Sequence, residues 1–163
     1  MTLRATPQRL DRTLTCYRIG DPSGAFPIYD SRGSSLYPGR WHDTRTPVIY
    51  ASEHYSTAML EILANLGGEF PSNQHFITIT VPRGTSYEVV TKDHLRGWDA
   101  LHPIVSREIG ARWVREGRSA ILLVPSYVAR IERNVVINPA HPDAAGIETS
   151  LPEPVWWDDR LFK

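Results

Sequence analysis

The pattern of apolar and polar residues predicts a chain with more strands than helices. Apolar and polar side chains alternate over residues 13–19 and 75–81, which is the pattern of a half-buried strand. Residues 119–124 read S-A-I-L-L-V, a nearly continuous apolar run that is typical of a central strand covered on both faces. Shorter segments rich in β-branched or aromatic residues predict further strands over 48–50, 87–90, 134–138 and 156–162.

A different spacing predicts a helix directly after the strand at 48–50. Ser52 stands at the expected N-cap, Glu53 would lie in the first turn, and Gly67-Gly68 ends the segment. Apolar residues recur at intervals of three and four, as in an amphipathic helix, at Tyr55, Ala58, Met59, Ile62, Leu63 and Leu66. Glu61 lies off this face, and it is the only formally charged residue from 54 to 66 if His54 is neutral. A lone carboxylate on a weakly polar face is either paired in a structural bridge or used in a cleft.

A second helix is predicted from His102-Pro103 to about Glu116, with Gly117 ending it. Strands outnumber helices and do not alternate with them regularly. We therefore expect an α+β fold, a compact domain with a mixed or antiparallel sheet, in preference to a doubly wound fold. At 163 residues the chain is one domain of ordinary size. We expect a flexible N-terminal arm over residues 1–12 and the folded domain over 13–163.

Composition narrows the class of protein. Eighteen basic and eighteen acidic residues give no net charge, which argues against nucleic-acid binding through phosphate neutralisation. The single cysteine, Cys16, allows no intramolecular disulfide, fits a reducing compartment and is expected in the core in preference to a nucleophilic role. We find neither a signal-peptide pattern nor an apolar run of the roughly 20 residues that a membrane span needs. These features favour a cytoplasmic protein with no membrane partner.

Common catalytic motifs are absent from the sequence. There is no G-x-G-x-x-G and no G-x-x-x-x-G-K-[ST], so neither a Rossmann fingerprint nor a P-loop is present. The six histidines include no H-x-x-x-H pair and one cysteine cannot form a zinc knuckle, so we predict no metal site. Ser126 could act as a nucleophile with His141 as base, but no elbow motif surrounds it.

Polar residues at the ends of predicted strands are the remaining candidates for a site. Residues 21–39 form a long segment rich in Gly, Pro and Ser, and it leads into Pro38–His42, where Arg40 supplies a fixed cation and Trp41 an anchor or a stacking surface. Ordinary roles remain open for each candidate: a surface cation, a core aromatic, a turn cap or a paired glutamate. The candidates are Arg18, Arg40, Tyr50, Glu61, Ser126 and Asn138.

Short motifs spread over residues 16–162 resemble one known family in their order and spacing. They are Tyr17-Arg18, Gly39-Arg40-Trp41, Tyr50-Ala51-Ser52, Ala58-x-x-Glu61, Pro125-Ser126, Asn138-Pro139-x-His141-Pro142 and Asp158-x-Arg160. The chain resembles the RES domain family, the toxin component of bacterial Xre–RES toxin–antitoxin pairs, which is named after an arginine, a glutamate and a serine. Members commonly carry two glycines before the R-W pair, whereas this chain has Pro38-Gly39, a departure that touches loop geometry and no reactive group.

The resemblance implies a fold related to ADP-ribosyltransferases of the diphtheria-toxin type and a toxin that cleaves NAD. NAD is then the substrate, no cofactor is bound permanently, and phosphate or water accepts the ADP-ribosyl group. Some members modify a protein target instead, and many are held inactive by an Xre-type antitoxin that covers the active site.

The resemblance also implies roles for individual residues. Glu61 is expected to stabilise the positive charge that develops on the ribose, with Arg18 and Ser126 as further catalytic residues. Arg18 and Arg40 are expected to bind the pyrophosphate and Tyr50 to stack on nicotinamide or flank its ribose. Ser126 would hydrogen-bond a ribose or an incoming phosphate, and Asn138 completes the predicted NAD site.

Other functions remain open from the sequence. ADP-ribose transfer to a protein would use the same site, although the E-x-E pair of arginine-specific transferases is missing because Met59 occupies the other place. A ribonuclease toxin could draw acid and base from scattered histidines, but no basic stripe supports RNA binding. A non-catalytic binding module with a polar cleft is the fourth possibility.

Overall fold

The computed structural model of the protein describes residues 7–163. Within this range it has one nine-stranded sheet and two α-helices, so the predicted α+β class is confirmed. The helices are α1, Tyr55–Leu66, and α2, Ile104–Glu116. The strands are β1 Gln8–Arg9, β2 Leu14–Gly20, β3 Ile49–Ser52, β4 His75–Val81, β5 Ser86–Val89, β6 Ile121–Pro125, β7 Arg133–Ile137, β8 Glu148–Thr149 and β9 Glu153–Pro154.

The sheet is mixed, with one parallel pair. Its strand order is β1-β5-β6-β7-β3-β2-β4-β8, and β9 also pairs with β4. Strands β5 and β6 run parallel, and α2 lies between them in the chain, because parallel neighbours need a long crossover connection. The other pairings are antiparallel. The expectation of a mixed or antiparallel sheet is therefore confirmed.

The central strands bury both of their faces, as the apolar run at 119–124 predicts. Side chains of a strand alternate between the two faces of a sheet, so Ile121 and Leu123 of β6 enter one apolar cluster. Leu122 and Val124 enter a second cluster on the opposite face, together with three tryptophans. This second face also carries Tyr50 and the segment that leads to β3, and it forms one wall of the cleft described below.

Helix α2 fixes the second cluster through a close backbone contact. Gly110 packs directly against the backbone of Trp41, where an added Cβ atom would lie only 1.8 Å from the Trp41 carbonyl oxygen. Trp113 is fully buried and donates its indole N–H to the Ser119 hydroxyl at 2.8 Å. These contacts hold residues 40–42 against the sheet. No helix among residues 7–163 combines the length and the apolar character that crossing a membrane requires.

The predicted start of α1 is wrong. Ser52 is the last residue of β3, and the N-cap position belongs to His54. Glu53 consequently precedes the helix and does not lie in its first turn. The reason is strand pairing, because Ser52 stands opposite Asn134 of β7 and the Glu53 N–H donates to the Arg133 carbonyl at 3.1 Å. The ladder between β3 and β7 therefore continues to Glu53 and delays the helix.

The two ends of the chain also differ from expectation. The segment 156–162 forms no strand; it ends in a 3₁₀ turn, Asp159–Phe162, because the Asp158 carboxylate accepts from the Arg160 backbone N–H. Part of the arm predicted over 1–12 lies outside the described residues. Within the described part, Gln8–Arg9 pairs with β5, and Leu10 packs against the first apolar cluster.

Candidate active site

A cleft of about 620 Å³ opens over the second face of the sheet, a volume within the range of small-molecule sites. The cleft is surrounded by strands β2 and β3, helix α1, the segment between β2 and β3, the turn after β6 and Asn134 of β7. Four of the predicted site residues line it, namely Arg18, Arg40, Tyr50 and Glu61. The structure therefore gathers into one cavity side chains that lie up to 43 residues apart in sequence (61 minus 18).

Glu61 faces the cleft because of the way α1 sits on the sheet. The fully buried residues of α1 are Thr57 and Ala58, and Glu61 follows them by four and three positions, on the same side of the helix. Glu61 lies off the apolar stripe that the spacing predicts, but the side of the helix that it shares with Thr57 also packs towards the sheet. Leu60, which lies outside the predicted apolar stripe, is 43% exposed, while Thr57 and Ala58 are the residues of α1 most deeply buried against the sheet.

The carboxylate of Glu61 is held by two hydrogen-bond donors on one oxygen. The Ser126 hydroxyl donates to Oε1 at 2.8 Å and the Asn134 side-chain amide donates to the same atom at 2.7 Å. Within residues 7–163 the structure shows no hydrogen bond to Oε2 and no ion pair between Glu61 and a basic side chain. Charge-assisted hydrogen bonds of this length fix a carboxylate firmly. One oxygen is anchored, and the other is left for a ligand.

Ser126 supports Glu61 from below the cavity. The serine lies directly after β6, is 0% exposed and is not among the residues that line the cleft. Its hydroxyl oxygen also accepts the Ala129 backbone N–H at 3.0 Å, which ties it into the turn between β6 and β7. This geometry favours a positioning role for Ser126 over the direct contact with ribose or phosphate that the sequence led us to expect.

Arg18 places a cation in the wall of the cleft. Its Nε donates to the Ile28 carbonyl at 2.6 Å and its NH1 group to the Tyr50 carbonyl at 2.8 Å, so the guanidinium links β2, β3 and the segment between them. Burial lowers the pKa of Arg18, and the nearby carboxylate of Asp30 opposes that shift. An arginine stays charged under such conditions, so a desolvated positive charge is available to an anionic ligand.

Arg40 places a second cation near the mouth of the cleft. Its NH1 group donates to the carbonyls of Trp98 and Ala100 at 2.9 Å each, and the guanidinium carbon lies 4.0 Å from the ring centre of Tyr127. Its pKa is lowered chiefly by burial, with Tyr127 and Glu61 acting in the opposite direction. Stacking on an aromatic face leaves the rest of the planar guanidinium to bind a phosphate.

The hydroxyl group of Tyr50 is engaged in a hydrogen-bonded chain. It accepts the Trp41 backbone N–H at 3.1 Å and lies 2.7 Å from His42 Nδ1. His42 Nε2 faces the Ser34 and Tyr37 carbonyls, so this nitrogen carries the proton and Nδ1 accepts from Tyr50. Burial raises the pKa of Tyr50, which keeps the hydroxyl protonated. Tyr50 can therefore offer a ligand its ring, with the hydroxyl already occupied.

Gly39 makes this arrangement possible. A Cβ atom at this position would lie 2.7 Å from His42 ring atoms and from the Tyr50 hydroxyl. The structure therefore gives a steric reason for a glycine directly before Arg40. Pro38, which departs from the pattern of the family, is not among the residues that line the cleft.

Two sequence predictions concern residues outside the cleft. Asn138 is 2% exposed and does not line the cavity; its side-chain oxygen accepts the Ala140 backbone N–H at 3.1 Å in the turn after β7. The structure does not bring it together with the other candidates. Cys16 is fully buried in the first apolar cluster, as expected, and burial raises its pKa to about 12, which suppresses the reactive thiolate.

Three further residues shape the site and were not predicted from the sequence. Asn134 holds Glu61, Tyr127 stacks on Arg40, and His42 ties Tyr50 to the segment between β2 and β3. A polar residue opening an apolar strand could have suggested Asn134. No local pattern distinguishes Tyr127 or His42, because their partners are distant in the sequence.

Comparisons with known proteins identify the family and the fold of this chain. A model of the RES domain matches residues 15–158. A protein of Sphingobium sp. (strain YBL2), named Prs ADP-ribosylating toxin, is 37% identical over 153 residues that cover 90% of each chain. Proteins named Toxin Res from Photorhabdus laumondii and Pseudomonas putida are 31% and 30% identical; the matches cover 78% and 85% of this chain and 83% and 95% of theirs.

A solved structure shares the fold. A chain from the crystal structure of the M. tuberculosis MbcT–MbcA toxin–antitoxin complex superposes with a TM-score of 0.70 at 16% identity, covering 94% of this chain and 89% of that one. The family match and the sequence relatives settle the classification. The chain belongs to the RES domain family, and within that family it is a toxin.

Proposed function

We propose that this toxin cleaves the bond between nicotinamide and ribose in NAD and passes the ADP-ribosyl group to phosphate or water. The observation that carries the proposal is the state of Glu61. Its carboxylate has one oxygen fixed by two donors and the other without a hydrogen bond among the described residues, in a cleft that also holds two arginines. A fixed negative charge in a half-buried site is suited to stabilising a cation that forms during a reaction.

The chemistry needs one carboxylate and no general acid for the leaving group. When the bond from ribose C1′ to the pyridinium nitrogen breaks, both electrons go to nitrogen and nicotinamide leaves as a neutral molecule. The ribose becomes an oxocarbenium-like cation, and an anionic phosphate oxygen or a water oxygen then forms the new bond to C1′. When water is the acceptor, it releases one proton to solvent. Glu61 accepts a hydrogen bond from a ribose hydroxyl and interacts more strongly as positive charge develops, which lowers the barrier.

Arg18 and Arg40 bind the pyrophosphate of NAD in this proposal. Both guanidinium groups line the cleft, and each is oriented by backbone carbonyls, so little side-chain entropy is lost on binding. The partly buried ring of Tyr50 lies between β3 and the segment that carries Arg40, where it provides a flat surface for nicotinamide or its ribose.

A protein acceptor is the second candidate. The support comes from the 37% identical relative named Prs ADP-ribosylating toxin, which points to ADP-ribose transfer onto a protein. Met59 stands where an E-x-E pair would have its first glutamate, which disfavours an arginine as the acceptor side chain. The first half of the reaction, departure of nicotinamide, is the same for both candidates.

We also propose an Xre-type antitoxin as the partner that blocks the cleft. The structural neighbour comes from a toxin–antitoxin complex. The mouth of the cleft in this chain presents apolar groups that a protein partner could cover, because Tyr127 and Val128 line the cleft and are 37% and 40% exposed.

Product analysis after incubation with NAD tests the proposal. Mass spectrometry of reactions with and without phosphate distinguishes free ADP-ribose from an ADP-ribose phosphate ester. Labelled NAD added to a cell lysate shows a modified protein as a labelled band. We expect nicotinamide release from the wild type and loss of release in the E61Q variant. No release from the wild type would favour a non-catalytic module, and degraded cellular RNA with unchanged NAD would favour a ribonuclease.

A further inference from the structure

We propose that Ser52 and Asn134 act as a positioning pair that decides which oxygen of Glu61 faces the substrate. This inference rests on the function proposed for Glu61 and adds two residues that act through it. The two side chains belong to neighbouring strands, β3 and β7, in which Ser52 and Asn134 are directly opposite. The Ser52 hydroxyl lies 2.7 Å from the Asn134 side-chain oxygen.

Hydrogen-bond chemistry fixes which group donates in each of the two hydrogen bonds, from Ser52 to Asn134 and from Asn134 to Glu61. An ionised carboxylate can only accept, so Asn134 must turn its NH₂ group towards Glu61. Its carbonyl oxygen then points to Ser52, which donates its hydroxyl proton to it. Ser52 is only 3% exposed, so solvent cannot readily take over this donation if the hydroxyl is removed.

Ser52 holds the side-chain amide of Asn134 in the orientation that donates to Glu61. The two orientations of an asparagine amide have nearly the same shape and differ only in where the oxygen and the nitrogen lie. In the flipped orientation the Asn134 oxygen would face Glu61 Oε1, and two acceptors would repel each other. Ser52 stabilises the productive orientation because in the flipped orientation its hydroxyl proton would lose the Asn134 oxygen, the acceptor that it has among the described residues.

Two donors on Oε1 leave Oε2 as the atom for the ribose hydroxyl. Asn134 on β7 supplies one donor, and Ser126, directly after the neighbouring strand β6, supplies the other. Loss of the pair would let the carboxylate rotate without removing it from the cavity. Because the contact with the ribose strengthens in the transition state, the effect should appear in kcat far more than in KM.

Steady-state kinetics of nicotinamide release provide the first test. In the S52A variant we expect kcat to fall about 10-fold while KM for NAD changes by less than about 2-fold. The S52T variant keeps a hydroxyl and suits a strand, so it should recover most of the lost rate. Ser86→Ala is the matched control, because Ser86 is a buried strand serine whose hydroxyl accepts the Ala120 N–H at 3.0 Å, outside the cleft.

A double-substitution cycle tests whether Ser52 acts through Asn134. We expect N134A alone to lower kcat about 100-fold and S52A to add nothing in the N134A background. If S52A lowers kcat by the same factor with and without Asn134, Ser52 acts independently and the proposal is wrong. A rise in KM as the main effect of S52A would also overturn it, because that result would indicate direct contact with NAD.

An NMR measurement separates this inference from the function on which it rests. The side-chain NH₂ signals of Asn134, in protein labelled with ¹⁵N, need no turnover of NAD. We expect one strongly hydrogen-bonded proton in the wild type and in S52T, and its loss in both S52A and E61A. An unchanged signal in S52A would overturn the positioning pair. A wild type that released no nicotinamide but showed the expected signals would refute the proposed function alone.

Discussion

The two helices of this toxin resemble each other in form and differ in what they bury. Helix α1 has 12 residues and α2 has 13, and each is followed by a glycine in the left-handed conformation, Gly67 at φ 60° and Gly117 at φ 58°. Helix α2 fully buries Trp113 and presses Gly110 against the backbone of Trp41. Helix α1 buries only Thr57 and Ala58, and its next residue on that side is Glu61.

Because of this difference, α2 contributes mainly to the stability of the fold and α1 mainly to the cleft. Helix α2 fills the space beside the sheet with a large aromatic side chain, so it contributes packing and fixes the segment around residue 41. Helix α1 presents small and polar side chains, which leave the cleft open and place a carboxylate at its wall. Helix α1 therefore makes fewer core contacts than α2 and leaves the Glu61 carboxylate in the wall of the cleft. We therefore expect substitutions on α1 to affect activity and those on α2 to affect folding.

The largest contrast is expected between two glutamates, one on each helix. The E61Q variant removes the fixed negative charge, so nicotinamide release should fall about 1,000-fold, equivalent to about 4 kcal/mol in the barrier. The control is E108Q on α2, where the exposed Glu108 carboxylate pairs with Arg112 at 3.3 Å, outside the cleft. Its activity should stay within about 2-fold of the wild type. Similar losses of activity in both variants would contradict the expectation that α1, and not α2, carries the group on which activity depends.

A smaller effect, on stability, is expected from G110A in α2. Alanine normally stabilises a helix interior by about 1 kcal/mol relative to glycine. Here the added Cβ would lie 1.8 Å from the Trp41 carbonyl oxygen, so the helix must move. We expect the free energy of unfolding to fall by about 3 kcal/mol in urea denaturation. The counterpart on α1 is A64G, at an exposed position, which should lower it by only about 1 kcal/mol.

Two fully buried serines sharpen the comparison further. S126A removes one donor to Glu61, so we expect kcat to fall about 30-fold, or about 2 kcal/mol, with little change in KM. S119A removes the hydroxyl partner of Trp113 beneath α2, so it should lower the melting temperature and leave kcat unchanged. A large increase of KM in S126A would instead indicate that the serine contacts NAD or phosphate, as the sequence led us to expect.

The smallest expected effects concern the features that the helices share. Neither Gly67 nor Gly117 has a neighbouring atom within 4 Å of a Cβ position, so alanine would suffer only from the left-handed backbone. We expect G67A and G117A each to reduce the free energy of unfolding by about 1 kcal/mol. Chemical denaturation measures both values. A difference above about 1 kcal/mol would mean that one helix end matters to the fold in a way that its local geometry does not explain.

Much of the fold could be predicted because it depends on local patterns. The alternation over His75–Val81 and the apolar run at 119–124 identified two strands, and Gly67 and Gly117 identified the ends of both helices. The start of α1 could not be predicted in this way. Ser52 and Glu53 have the chemistry of a helix start, but Ser52 pairs with β7 as the last residue of β3, and the Glu53 N–H donates to the Arg133 carbonyl. Pairing with a distant segment outweighs a weak local preference.

The candidate site was predicted in part. Family motifs pointed to Arg18, Arg40, Tyr50 and Glu61, which all line the cleft, and to Ser126, which supports it. The same motifs pointed to Asn138, which lies in a turn elsewhere. Asn134, near the start of β7, contacts Glu61, whereas Asn138 follows the end of that strand. A motif records which residues recur, and it does not record which end of a strand faces a cavity.

The sequence by itself determined the longer strands, the C-terminal ends of both helices and the single carboxylate on α1, because periodicity, glycine positions and motifs depend on neighbours along the chain. Only the tertiary structure decided that Glu61 turns towards the sheet, that one of its oxygens is held by Ser126 and Asn134, and that Arg40 stacks on Tyr127. These features depend on contacts between segments up to 87 residues apart (127 minus 40), which form only when the sheet brings their ends together.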